Sequence, residues 1–212
     1  MKKTILKAFL GLALLVGVQA QSQVIHKYER YVKDYKWKVG ASYNMMDFNF
    51  NHSDLPEGTS ASMISGGIPA KVMLGYEFAK NLSVEADFSM NEMMKDDVMN
   101  GDIVSEDITI ISFNGSLAYS LGGLFNLPVV DPYIKAGIGH LRLNEVDLTM
   151  ASAGGGINFW IADIPATKSS RYHHDKIYRR LGINVEAMGR SNISTNGPGS
   201  HAQYSAGIFY MF

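Results

Sequence analysis

His201-Ala-Gln-Tyr-Ser-Ala-Gly-Ile-Phe-Tyr-Met-Phe212 closes the chain, and its period decides the fold. Counted back from Phe212, every second position (Tyr210, Ile208, Ala206, Tyr204 and Ala202) is apolar or small, so these side chains share one face of a β-strand. The other face carries Gln203, Ser205 and Gly207 before turning apolar at Phe209 and Met211. One apolar face, one small polar face and an aromatic end describe a strand in the wall of a membrane barrel.

Seven further stretches upstream alternate in the same way. Trp37 to Phe50 shows Trp37, Val39, Ala41, Tyr43 and Met45 on one face; a shift of phase at Met46, with a bulge, is expected to continue that face through Phe48 and Phe50. Gly66 to Phe78 alternates cleanly, and only Ala79-Lys80-Asn81 separates it from Leu82 to Met90, which predicts an antiparallel hairpin. Asp107 to Ser120, Asp131 to Leu143, Thr149 to Ile161 and Tyr178 to Ser191 complete the set. The count, with the terminal stretch, is eight. Eight is even, and each stretch is close to the roughly 9–11 residues a tilted strand needs to cross the apolar layer. The reading is an all-β chain forming an eight-stranded antiparallel transmembrane β-barrel.

The other end of the chain points to the same compartment. Lys2, Lys3 and Lys7 form a positive region, Ala8 to Val18 an apolar one, and Val18-Gln19-Ala20 a small-x-small site with cleavage expected before Gln21. The apolar run falls short of the roughly 20 residues of a membrane helix. The expected organisation is therefore a signal peptide over 1–20, an N-terminal periplasmic segment over 21–35 and the barrel over 36–212. With no cysteine in 212 residues, neither a lipoprotein anchor nor a disulfide framework is available. A net charge of −1 leaves no electrostatic footprint for nucleic acid. Mean hydropathy of −0.03 excludes a bundle of membrane helices but not a barrel, whose two faces average out. Many of the 21 glycines fall inside the alternating stretches, which suggests close packing in a narrow barrel.

The ending at Phe212 resembles the C-terminal strand of bacterial outer-membrane β-barrel proteins, in which a terminal Phe and alternating apolar positions serve as an assembly signal. That resemblance assigns Tyr204, Ile208, Tyr210 and Phe212 to the signal, with the barrel-assembly machinery as partner. The hairpin Gly75-Tyr-Glu-Phe-Ala-Lys-Asn-Leu-Ser-Val-Glu-Ala-Asp-Phe88 and the stretch Asp131-Pro-Tyr-Ile-Lys-Ala-Gly-Ile-Gly139 are similar to segments of small OmpA/OmpX-type outer-membrane barrels, and the Gln21-rich start resembles exported proteins of Bacteroidota. The resemblance implies a setting among outer-membrane lipids, including lipopolysaccharide, and a structural or surface-interaction role. No periplasmic domain is expected after Phe212. An even-stranded barrel places 51–65, 91–106, 144–148 and 191–200 outside and 79–81, 121–130 and 162–177 on the periplasmic side.

Alternation turns seven charges inward: Lys71, Glu77, Glu85, Asp87, Lys135, Glu186 and Arg190. Unpaired charges are costly in a lumen that side chains nearly fill, so a hydrogen-bonded network is expected, with a small gated pore as the functional alternative. Asn91-Glu-Met-Met-Lys-Asp-Asp-Val-Met99 reads as a loop whose methionines could hold Cu(I), although adaptable contact surface is the plainer reading. His173-His174-Asp175 lies among Lys168, Arg171, Lys176, Arg179 and Arg180 in a basic turn suited to lipid phosphates; neighbouring side chains in an extended segment diverge, so no metal site and no cofactor is expected.

Arg190-Ser191-Asn192 faintly resembles the Ser-Asn of lipid A deacylases, where a His two residues before the Ser activates it. Here that position is Gly189, and a hydroxyl without a base is not a nucleophile, so no catalytic residue is expected. A soluble lipocalin-type barrel would alternate too, but with its apolar residues turned inward and no need for aromatics at the strand ends.

Overall fold

The computed structural model describes residues 36–48, 62–63, 71–99, 102–122, 129–166, 177–194 and 200–212. Eight long strands make the wall: β1 (Trp37–Asp47), β2 (Lys71–Ala79), β3 (Leu82–Met93), β4 (Ile108–Ser120), β5 (Val130–Leu143), β6 (Val146–Ala166), β7 (Ile177–Asn192) and β8 (Ser200–Met211). Every neighbour is antiparallel, in the order β3-β2-β1-β8-β7-β6-β5-β4, and β3 pairs with β4 to close the ring. The seam between first and last strands is continuous from Lys38 opposite Met211 to Asp47 opposite Ala202. Trp37 and Phe212 exchange backbone hydrogen bonds of 3.0 and 2.9 Å at its end, so both described chain ends lie at one rim. Closure leaves no unpaired edge within the wall.

The outer face is apolar and uncovered: Phe113, Ile138 and Ile208 are 56, 67 and 59% exposed. That polarity is the reverse of a lipocalin-type barrel and suits a lipid environment. Aromatic side chains gather at the rim that holds the termini, where Trp37 meets Tyr76 at 4.8 Å and Tyr210 stacks on Phe212 at 5.8 Å. They form the kind of girdle that sits at a membrane interface.

The turns follow from residues that accept left-handed backbone. Asn81 (φ 63°) closes β2 onto β3, and Asn144 (φ 48°) closes β5 onto β6 in a two-residue turn, since Leu143 already pairs with Val146. The outer connection expected over 144–148 therefore shrinks to Asn144–Glu145. A register step, from Leu181 opposite Ala162 to Gly182 opposite Trp160, leaves Ile161 as a bulge in β6.

The structure corrects the reading in three places. No phase shift occurs at Met46: pairing with β8 continues without a step through Asp47, and Met46 and Phe48 are buried in the lumen. An apolar interior at that level makes inward methionine and phenylalanine favourable, so a bulge has no cause. The expected methionine loop does not begin at Asn91 either, because β3 runs on to Met93 and buries both Asn91 and Met93 inside. The last connection is shorter than 162–177, since β6 extends to Ala166 and β7 starts at Ile177. Residues 1–35, His173-His174-Asp175, and the beginning of the stretch expected from Gly66 lie outside the described residues.

Candidate functional site: the filled lumen

Inward positions on alternating strands bring the lumen charges together from distant parts of the chain. Glu186, near the middle of β7, is the hub: Lys71 Nζ donates to Oε1 at 2.5 Å, Lys135 Nζ to Oε2 at 3.2 Å and the Tyr133 hydroxyl to Oε2 at 2.8 Å. Lys135 also lies 3.1 Å from Glu85 and 3.3 Å from Asp87. Arg190 donates to Asp87 at 3.3 Å and to the Ser112 hydroxyl at 2.7 Å. Amide side chains extend the web: Asn114 donates to Asp87, and Asn184 to both Tyr133 and Asn158. All of these charged groups are buried. Desolvation of this order is tolerated because each ion meets an opposite charge, and Glu186, Asp87 and Arg190 also share hydrogen bonds with neutral side chains.

Six of the seven expected lumen charges join this network. Glu77 does not: it stands at the rim, where its carboxylate accepts the Asn81 backbone N–H at 3.3 Å across the β2–β3 turn. Its place is taken by Lys38, absent from the expected set, whose Nζ donates to Glu85 at 2.8 Å and lies over the rings of Tyr133 and Phe209. The alternation of β1 already put Lys38 opposite the Trp37 face, so period two was the signal that could have found it. With Lys38 included, four cations face three carboxylates.

Small residues make room for this packing. A Cβ on Gly156 would fall 2.6 Å from the Tyr133 hydroxyl, and one on Gly182 would fall 2.5 Å from the Phe209 ring. Both glycines let a large side chain from another strand lie flat against the wall. The space beside Gly156 is what allows the Tyr133 hydroxyl to reach Glu186, so that glycine positions the network.

Beyond the charges the interior turns apolar. Met46, Phe48, Met93, Ile110, Leu141 and Leu148 belong to one buried cluster at the end away from the termini. Between the two zones, Asn44 donates to Asn91 at 2.8 Å and accepts from Gln203 at 2.6 Å. His201 lies against Phe48 with ring centroids 4.7 Å apart and the planes tilted by 33°, and neither of its ring nitrogens has a hydrogen-bond partner, so it packs as an aromatic ring.

Among the described residues, the lumen thus holds two plugs in series, one ionic and one apolar. Lys38→Met should cost less than loss of the Glu186 hub, about 1.5–3 kcal/mol for one charged hydrogen bond. Its loss evens the charge count and leaves Glu85 held by Lys135; a urea unfolding midpoint equal to that of a hub variant at Glu186 would contradict the geometry.

His201 is a strand neighbour of Ser191, opposite Arg190 in the register, whereas Ser191 pairs with Ser200. His201 is buried inside and Ser191 is exposed, so the two side chains are on opposite faces of the wall. The assembly-signal positions stand on the outer face of β8: Tyr204, Ile208 and Phe212 are exposed, and the Tyr210 hydroxyl accepts a hydrogen bond from Arg179 at 3.3 Å. Among the described residues no group of three His, Cys, Asp or Glu is arranged to hold a metal ion.

In sequence, the profile of the family described as "Outer membrane protein beta-barrel domain" matches residues 8–212. A search of curated proteins finds no relative. Among solved structures, the chain is similar to the N-terminal β-barrel domain of Pseudomonas aeruginosa OprF, at 12% identity and a TM-score of 0.49 over 84% of this chain and 100% of that one. It is also similar to Neisserial surface protein A, at 13% identity and 0.48 over 84% and 97% of the two chains. Ail, the attachment invasion locus protein of Yersinia pestis, is similar at 13% identity and 0.44 over the same shares.

Proposed function

Because the chain belongs to the outer membrane protein β-barrel family, we propose that it is a non-enzymatic structural and surface-interaction barrel of the bacterial outer membrane, closed to solutes. The observation that carries this reading is the double plug: an ion network centred on Glu186, capped by the apolar cluster around Phe48 and Leu141. An eight-stranded interior is only about wide enough for side chains, so a filled lumen is the expected state.

The proposal includes an inward-facing rim at the termini and an outward-facing opposite end. The distribution of charge supports it. In sequence, the segments joining β2 to β3, β4 to β5 and β6 to β7 (80–81, 121–129 and 167–176) carry four Lys or Arg against one Asp, a balance suited to phospholipid phosphates. The remaining partners we propose are outer-membrane lipids, lipopolysaccharide among them, and the barrel-assembly machinery, which would read Tyr204, Ile208, Tyr210 and Phe212. The finer kinship with small OmpA/OmpX-type barrels rests on the Gly75–Phe88 and Asp131–Gly139 stretches. Export by a signal peptide over 1–20 rests on the Lys2–Ala20 pattern.

Planar bilayers test the closed lumen. Purified protein is expected to show no steady conductance; large, stable, ion-selective channels would overturn the reading in favour of a pore.

A further inference from the structure

At the end of the barrel away from the termini, the described residues between β3 and β4 are folded back on the barrel. Past Met93, the Asp96 N–H donates to the Val104 carbonyl at 2.9 Å, and the Val104 N–H to the Asp97 carbonyl at 2.8 Å. The Lys95 N–H donates to the Asp107 carboxylate at 2.8 Å, and the Val104 side chain is buried in the apolar cluster. These bonds hold a short hairpin, Val98–Met99 paired with Asp102–Ile103, near the Asn144–Glu145 turn. That turn is itself tied to β4, since Asn144 N–H donates to the Thr109 carbonyl at 3.1 Å and Thr109 N–H to the Asn144 side chain at 2.9 Å.

Between the hairpin and the turn lies a groove of about 890 Å³. Its floor is apolar, from Val104 and Leu143, and Ile103 and Val146 stand along it 72 and 47% exposed. Large apolar side chains held open on a rigid frame mark an interaction surface. Asp102, Glu106 and Glu145 rim the groove and are exposed, and their carboxylates make no hydrogen bond or ion pair among the described residues. The nearby basic side chains Arg142 and His140 are engaged elsewhere: Arg142 donates to the Asn144 carbonyl at 3.0 Å, and His140 lies 3.1 Å from Asp147. Among the described residues of this end, 94–99, 102–107 and 144–145 hold six Asp or Glu against the single Lys95. Such a field draws in cations and repels polyanions.

We propose that this groove docks a cationic amphipathic peptide segment of a partner protein. Its Lys and Arg side chains would meet Asp102, Glu106 and Glu145, and its apolar side chains would lie between Ile103 and Val146. The inference deepens the surface-interaction reading and rests on it, and it is independent of whether the lumen conducts.

The test uses the folded barrel in phosphatidylcholine nanodiscs, with empty nanodiscs as the blank, and a short fluorescent peptide of alternating Lys and Leu. Saturable binding is expected. It should weaken about tenfold or more in the D102N/E106Q/E145Q variant, and likewise in the I103S/V146S variant. A Lys–Ser peptide and a Glu–Leu peptide should each bind about tenfold more weakly than the Lys–Leu peptide.

Equal binding of the Lys–Ser peptide would overturn the proposal, because an acidic surface alone would then suffice. Binding unchanged by either set of substitutions would do the same. A dimer seen by light scattering and lost in I103S/V146S would assign the groove to a second copy of the chain. All substitutions are at exposed side chains, and the shift in gel mobility on boiling reports that each variant is folded. No peptide binding together with silent bilayers would overturn the groove alone; channels together with peptide binding would overturn the closed lumen alone.

Discussion

Glu186→Gln is expected to destabilise the folded barrel by about 3–5 kcal/mol, the usual cost of removing one partner from a buried ion pair. Glu186 satisfies Lys71, Lys135 and the Tyr133 hydroxyl at once. A glutamine offers one acceptor oxygen in place of two and carries no charge, so four buried cations would be left facing Glu85 and Asp87 alone. Solvent can relieve little of this, because Glu186 sits in mid-strand with the apolar cap on one side and the Trp160–Phe209 contact at 5.1 Å toward the other rim. The check is urea unfolding of the refolded protein, followed by fluorescence of Trp37 and Trp160 and by the boiling-dependent shift on gels. Loosening of the plug should also appear as intermittent conductance in bilayers that are silent with the wild-type protein. An unchanged midpoint with silent bilayers would show that the ionic network contributes nothing to closure.

The second large effect belongs to the last strand. In cells, Tyr210→Ser with Phe212→Ser should lower the amount of assembled barrel about tenfold or more, the consequence of losing about 1.4 kcal/mol or more of recognition free energy. Folding of the same variant into detergent should change far less. Both side chains are on the outer face, stacked on each other at 5.8 Å, and neither contributes to the plugs. The substitutions also leave the backbone bonds between Phe212 and Trp37 in place, as deletion of Phe212 would not. Equal losses in cells and in detergent would mean that the aromatics serve only the stability of the wall and are not read during assembly.

These two predictions draw on different kinds of information. The second was legible in the chain itself. A strand's side-chain period is a local property, so counting by two from Phe212 assigned Tyr204, Ile208 and Tyr210 to the outer face, and the same count placed Lys71, Glu85, Asp87, Lys135, Glu186 and Arg190 inside. The even number of strands and the tight hairpin between Phe78 and Leu82 were legible for the same reason.

Local periodicity alone could not say where the interior changes character. Met46 and Phe48 looked like misplaced outer-face residues because β1 offers no sign that its far end faces Ile110 and Leu141, residues more than sixty positions away, across a closed barrel. Glu77 had the right parity and the wrong height: one step from a turn, its carboxylate caps a backbone N–H and never reaches the network. The partners of Glu186 were equally hidden, since Lys71 is 115 residues from it and Lys135 is 51. Their meeting depends on the stagger of all eight strands around the ring. Away from the far end of β1 and the bulge at Ile161, the face a residue occupies follows from the pleat, a local property; which inward charges share a level and where charge gives way to carbon depends on how far each strand slides against its neighbours before the barrel closes.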